Sequence, residues 1–143
     1  MDRAAVLGHP VKKSLSPKLF GAMAKSQKRE VDYRKMDLLP KRLASFFRSQ
    51  SGFTGFNVTI PHKEKVIRFA DVLSPEVKAI GAANVLHVQG NRLTAYNTDV
   101  LGIRQTFREQ GLRLAGKQAV LYGAGGAARA VAYSLTQEGL AKV

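Results

Sequence analysis

Apolar and polar positions along this chain alternate between two rhythms. Ala4-Ala5-Val6-Leu7 is a short apolar run that stops at Gly8, and a run of that length ended by glycine predicts a strand. A polar loop follows. Ser16-Pro17 then predicts a helix start, with serine as the cap and proline in the first turn. This helix would turn Leu19, Phe20, Met23 and Ala24 inward. Residues 31–37 alternate apolar and polar, which predicts a second strand. Pro40 opens a second helix with Leu43, Phe46 and Phe47 on its inner face. Gly55-Phe56-Asn57-Val58-Thr59-Ile60 reads as a strand, stopped by Pro61. Short helices are expected over residues 63–70 and 74–80, the second repeating the cap-then-proline start at Ser74-Pro75.

Val85-Leu86-His87-Val88 and Leu93-Thr94-Ala95-Tyr96 then form a hairpin around Gly90-Asn91. A helix from about Thr98 to Gln110 ends at Gly111. Residues 118–122 predict an apolar strand, and residues 126–138 a last helix. Strand and helix in alternation imply an α/β fold, with a mostly parallel sheet flanked by helices and a terminal hairpin. Residues 1–100 would form that domain. Residues 101–143 would form a linking helix and the first βα unit of an incomplete Rossmann domain.

Composition narrows the class. The 143 residues are 45% hydrophobic and 23% charged, which is ordinary for a globular chain. No apolar run is long enough to cross a bilayer, and Arg3 leads into no secretory h-region, so a cytoplasmic protein is expected. Cysteine is absent and the three histidines (His9, His62, His87) are far apart. A disulfide framework, a thiol nucleophile and a metal site are therefore not expected. The net charge is +13, and the first fifty residues carry 12 basic against 4 acidic side chains. Such a field draws anions. The basic residues form scattered pairs, such as Lys12-Lys13 and Lys41-Arg42, and no nucleic-acid motif accompanies them.

Chemistry concentrates in a few places. Gly123-Ala124-Gly125-Gly126-Ala127-Ala128 follows a predicted strand and opens a predicted helix. This is the G-x-G-x-x-A turn whose free N–H groups face a pyrophosphate. The acidic residue that reads a ribose would stand about 20 positions on, and Val143 comes first. Ser14 and Ser16 place two hydroxyls at a helix start, where a carboxylate can be gripped; simple capping by Ser16 is the plainer alternative. Asn57, Thr59 and Lys63 follow one another at a strand's end, where ligands of α/β proteins bind. Asn84 ends the small-residue run Gly81-Ala82-Ala83, and Asp99 stands in the first turn of a helix.

Together these segments resemble one family. Ser14 to Pro17 (SLSP), Asn57 to Lys63 (NVTIPHK), Gly81 to Asn84 (GAAN), Asn97 to Asp99 (NTD) and Gly123 to Arg129 (GAGGAAR) stand in the order and spacing of the shikimate dehydrogenases. The resemblance spans that family's substrate-binding domain and the opening of its cofactor domain. Lys13, Tyr96 and Val100 depart from the common pattern.

The resemblance implies NADPH-dependent, reversible reduction of 3-dehydroshikimate to shikimate in aromatic amino-acid biosynthesis. Lys63 and Asp99 would be the catalytic pair. Ser14, Ser16, Thr59, Asn84 and that pair would bind substrate. Gly123, Ala124, Gly125, Gly126 and Ala127 would hold the NADP pyrophosphate, and no metal is implied. An NAD-dependent quinate/shikimate dehydrogenase, a shikimate-binding module without turnover and a basic nucleic-acid binder are the alternative readings. The chain alone would be inactive. An exposed strand and helix would favour a homodimer or self-association.

Overall fold

The computed structural model describes residues 1–49 and 52–143. Six strands form one mixed sheet: β1 (Asp2–Gly8), β2 (Val31–Asp37), β3 (Gly55–Val58), β4 (Val72–Leu73), β5 (Val85–Gln89) and β6 (Arg92–Tyr96). Their order across the sheet is β2-β1-β3-β5-β6-β4. Strand β1 runs parallel to both β2 and β3; the β5–β6 hairpin is antiparallel within itself and to β3. Strand β4 adds in parallel at the outer edge of β6, so the hairpin lies inside the sheet and not at its end.

The C-terminal half of β1, from Ala5 to Gly8, is buried, as its apolar run requires. Leu7, Leu43 of helix α2 (Leu43–Ser49), Phe56, Val66, Val77 and Leu86 make the main core. Phe56 meets the edges of Phe46 and Phe47 at centroid distances of 5.6 and 6.0 Å, the geometry that aromatic quadrupoles favour. A smaller core of Ile80, Ala82, Val100 and Ala130 joins three helices: α3 (Pro75–Ile80), α4 (Asp99–Glu109) and α5 (Gly126–Gln137).

Several local expectations hold. Ser74 caps α3 by accepting the Val77 N–H, and Gly81 ends it in the left-handed conformation at φ 71°. Gly90 turns the hairpin at φ 61°.

Others need correction. Helix α1 (Ser16–Ser26) is not capped by Ser16; Leu15 holds the cap position, with no side-chain bond. Ser14 Oγ instead accepts the Ser16 N–H, 3.2 Å away. Leu19 and Met23 face solvent. The helix covers only the β1–β2 edge, so Phe20 and Ala24 suffice to pack it. Residues 63–70 form turns and a 3-10 segment, Val66–Phe69, and then the short strand β4, which periodicity cannot detect in two residues. Residues 118–122 form no strand. A single bridge joins Gln118 to Lys142, and Val120 and Tyr122 are fully exposed. An apolar stretch becomes a strand only against a neighbour, and none of the six strands lies beside it. Among the described residues, no helix is long and apolar enough to cross a membrane.

Candidate active site

The sheet order decides where the site lies. From β1 the chain crosses to β2 on one side and then returns to β3 on the other. That reversal opens a crevice at the C-terminal ends of β1 and β3. The loop after β1 carries Ser14, and the loop after β3 carries Thr59 and Lys63. Their bases are tied together: Thr59 N–H donates to the Leu7 carbonyl and His9 N–H to that of Ile60. Gly8 permits this approach, because a Cβ there would stand 2.6 Å from Thr59 Cγ2.

Lys63 Nζ donates to Asp99 Oδ2 at 2.6 Å, with the two side chains 18% and 28% exposed. The pair is reachable from solvent yet only partly screened by it. Three further contacts hold it. Ala83 N–H donates to the Lys63 carbonyl, tying the lysine to the small-residue run. Asn84 Nδ2 donates to Asp99 Oδ1 at 2.8 Å and to Thr98 Oγ1 at 2.9 Å, while Thr98 N–H donates back to Asn84 Oδ1. Asn97 accepts the Asp99 N–H and anchors itself to the Ala82 carbonyl. One amide hydrogen of Asn84 is thus spent on fixing the carboxylate and the other on the Thr98 hydroxyl.

The glycine turn docks on this cluster. Gly123 takes φ 122°, a conformation that favours glycine. Gly126 opens α5 so close to Lys63 that a Cβ would lie 3.2 Å from Lys63 Cβ and 3.1 Å from Ala82 Cβ. Arg129 ties the turn down, pairing with Glu64 at 3.1 Å and donating to the Ala124 carbonyl at 3.3 Å. A cavity of about 560 Å³ lies between the loop holding Thr59 and Lys63 and the turn holding Gly123, Gly125 and Gly126. Lys63 also borders a second hollow beside Asp99 and α4.

The sequence-predicted residues therefore fall into three groups. Lys63 and Asn84 both bond the Asp99 carboxylate. Gly123, Gly125, Gly126 and Ala127 line the same cavity as Lys63, and Ala124 does not. Ser14 and Ser16 form their own pair, Oγ to Oγ 3.1 Å, on the α1 side. Thr59 stands at the crevice floor. Sequence reasoning placed Asn57 at the ligand end of its strand but assigned no role to Tyr33, Thr98, His62 or the Glu64–Arg129 pair. Tyr33 looked like one residue of an alternating strand. Only the register, Ala4 opposite Tyr33 and Val6 opposite Asn57, shows that Tyr33 and Asn57 share a face.

The fold and site together define an α/β ligand-binding domain whose lysine–carboxylate pair faces a phosphate-type glycine turn. Comparison with known proteins agrees. Residues 6–86 match the family described as the shikimate dehydrogenase substrate binding domain, and the chain belongs to that family. It is 41% identical over 140 residues to the NADP(+) shikimate dehydrogenase of Symbiobacterium thermophilum, covering 96% of this chain and 48% of that protein. The crystal structure of shikimate dehydrogenase 1 from Peptoclostridium difficile matches with a TM-score of 0.93 at 30% identity, over 98% of this chain and 53% of that one. The shikimate 5-dehydrogenase of Thermus thermophilus, solved with NADP(H) and shikimate, matches with a TM-score of 0.85 at 41% identity, over 99% and 54%. The chain spans about half the length of the curated relatives it matches.

His62, next to Lys63, sets an acid limit on this arrangement. It is fully buried, its Nε2 2.7 Å from the Leu38 carbonyl and its Nδ1 without a partner among the described residues. Burial pushes its pKa down, the Leu38 carbonyl opposes this, nearby Lys65 and His9 add to the lowering, and Asp37 opposes it. The unfolded chain, with histidine near pH ~6.5, then binds the proton more readily than the folded one. Stability should be complete above that pH and fall as pH drops below it. Urea unfolding from pH 8 to 5 should show this decline, and His62→Gln should flatten it. An equal slope in both proteins would contradict the assignment.

Proposed function

We propose that this chain carries the substrate half of an NADP-dependent shikimate dehydrogenase, an oxidoreductase acting on a ring hydroxyl. Its reaction is the reversible reduction of 3-dehydroshikimate to shikimate, a step of aromatic amino-acid biosynthesis carried out in the cytoplasm. Residues 1–100 bind shikimate. Residues 101–143 are a linking helix and the first βα unit of the NADP-binding Rossmann domain. The observation that carries this reading is the 2.6 Å contact between Lys63 and Asp99 beside the glycine turn.

The residues present fit the cofactor. The turn has glycine where a Cβ would strike Lys63 and Ala82, and α5 starts there with free N–H groups. Gly123, Ala124, Gly125, Gly126 and Ala127 would hold the pyrophosphate of NADP. The bound cofactor supplies the hydride.

The chain's own residues do the rest. Ser14 and Ser16 grip the substrate carboxylate with their hydroxyls. Thr59 borders the ring, and Asn84 takes a ring hydroxyl in place of its Thr98 contact. Lys63 Nζ stands at the carbonyl oxygen, stabilises the negative charge that develops there and gives it a proton. In the reverse direction it receives that proton. Asp99 keeps the ammonium aimed, since an unpaired flexible lysine would sample many positions. The net +13 draws an anionic acid towards this cleft. Scattered basic pairs suit such a metabolite better than nucleic acid.

Calorimetry with shikimate tests the binding half of the reading. The 143-residue chain should bind shikimate, and Ser14→Ala with Ser16→Ala should weaken binding about a hundredfold or more, the cost of two hydrogen bonds to a charge. Absence of shikimate binding by the unaltered chain would overturn the proposal.

Turnover is tested in a chain joined to the second half of the Symbiobacterium relative, by NADP reduction at 340 nm. Lys63→Ala should lower kcat by about 10²–10⁴ with a modest change in KM. A change in KM alone would make Lys63 a binding residue.

The exposed Val120 and Tyr122 lead to a further expectation. An unpaired apolar stretch invites pairing with a second copy. Sedimentation should show self-association of the 143-residue chain, reversed by Val120→Lys with Tyr122→Lys. A strict monomer at high concentration would contradict it.

A further inference from the structure

We infer that Arg129 is a positioning residue of the glycine turn: anchored on the Lys63 loop through Glu64, it sets the Ala124–Gly125 peptide so that the Gly125 N–H faces a bound pyrophosphate. This rests on the NADP reading above and deepens it.

The turn has more freedom than its task allows. Gly123, Gly125 and Gly126 lack the side chains that would restrict it. Gly125 stands at φ −75°, yet glycine takes positive φ about as readily. Rotation of the Ala124–Gly125 peptide about its flanking bonds is therefore sterically cheap. The peptide is trans, so its N–H and its carbonyl point in opposite directions. Turned one way, it offers a donor to an anion. Turned the other way, it offers a carbonyl oxygen, which repels one.

One side chain makes the choice. Arg129 Nε donates to the Ala124 carbonyl at 3.3 Å, and that carbonyl has no other partner among the described residues. Gly125 borders the cavity of about 560 Å³, whereas Ala124 and Arg129 do not. The carbonyl side of the peptide is thus turned from the cavity and the N–H side towards it. The N–H groups of Gly125, Gly126, Ala127 and Ala128 have no partner among the described residues.

Arg129 is itself fixed from the substrate side. Its Nη2 lies 3.1 Å from Glu64 Oε2. Its Nη1 lies against the end of α3, where a Cβ on Gly81 would stand 3.4 Å from it. Glu64 directly follows Lys63, so the loop that carries the ammonium also aims this guanidinium. Both partners are about half exposed, and such a pair adds little stability; what it fixes is direction. The pair also covers a charge. Glu64 borders the cavity, and a bare carboxylate there would repel a phosphate.

Arg129→Lys keeps that charge but loses the rigid fork that serves a carboxylate and a carbonyl together. In the chain joined to the second half of the Symbiobacterium relative, fluorescence titration should show NADPH bound about tenfold more weakly, the loss of one hydrogen bond to a charged group. Shikimate affinity should change less than twofold, and the urea midpoint should stay where it is. In the 143-residue chain without ligand, amide relaxation dispersion should show exchange at Gly125 in the variant and none in the parent. If the unaltered joined chain binds NADPH and the variant binds it equally well, the inference fails and the functional reading stands. A Gly125 amide as quiet in the variant as in the parent also overturns it. An equal loss of shikimate affinity, or a lower urea midpoint, would make Arg129 merely structural and overturn it too. If the unaltered joined chain binds no NADPH, the functional reading fails and takes this inference with it.

Discussion

The structure turns on one contact, an ammonium and a carboxylate 36 residues apart held at 2.6 Å. A lysine in a loop is ordinarily free to wander, and holding it costs side-chain entropy of up to about 2 kcal/mol. Here both partners are braced from outside. The Lys63 carbonyl is bonded to Ala83, and Asp99 is held by Asn84 and Asn97. Those three residues flank the β5–β6 hairpin. The hairpin's antiparallel register sets Val85 opposite Tyr96, so the residues just before β5 and just after β6 meet. The ion pair is in this sense a product of strand register.

The second constraint is close approach of backbone to backbone. Gly8 lets the ends of β1 and β3 come together, and Gly126 lets α5 rest on Lys63 and Ala82. A methyl group at either place would need the neighbouring element to move. The glycine turn thus does two things. Its conformation at Gly123 exposes N–H groups, and its lack of side chains at Gly126 brings those groups close to the lysine. The Glu64–Arg129 pair is about half exposed. Exposed pairs contribute little energy, so packing at Gly126 holds the turn more than that ion pair does.

Much of this was legible in the chain. Residues with strong local rules behaved as those rules require: Ser74-Pro75 starts a helix, Gly81 ends it, Gly90 turns a hairpin. The segments SLSP, NVTIPHK, GAAN, NTD and GAGGAAR pointed to one family because each pairs a backbone demand with a polar group. Errors fell where local rules are silent. Ser16 looked like a cap, yet Ser14 makes that hydrogen bond. Residues 118–122 looked like a strand, but strand formation depends on a partner that local pattern does not contain. Leu19 and Met23 looked inward because periodicity gives a helix's apolar face and not how much sheet lies under it.

What the sequence determined by itself was most of the longer elements, the glycine turn and the identity of the groups able to carry chemistry, because these follow from short-range sterics and side-chain type. What only the tertiary structure decided was which of those groups meet. The mixed order β2-β1-β3-β5-β6-β4 put the crevice between β1 and β3. The hairpin register brought Asn84 to Asp99, and the crossing of β1 brought Tyr33 to Asn57. Contacts between residues 15 to 36 positions apart depend on strand pairing across the sheet, and pairing is a property of the whole chain's packing rather than of any window along it.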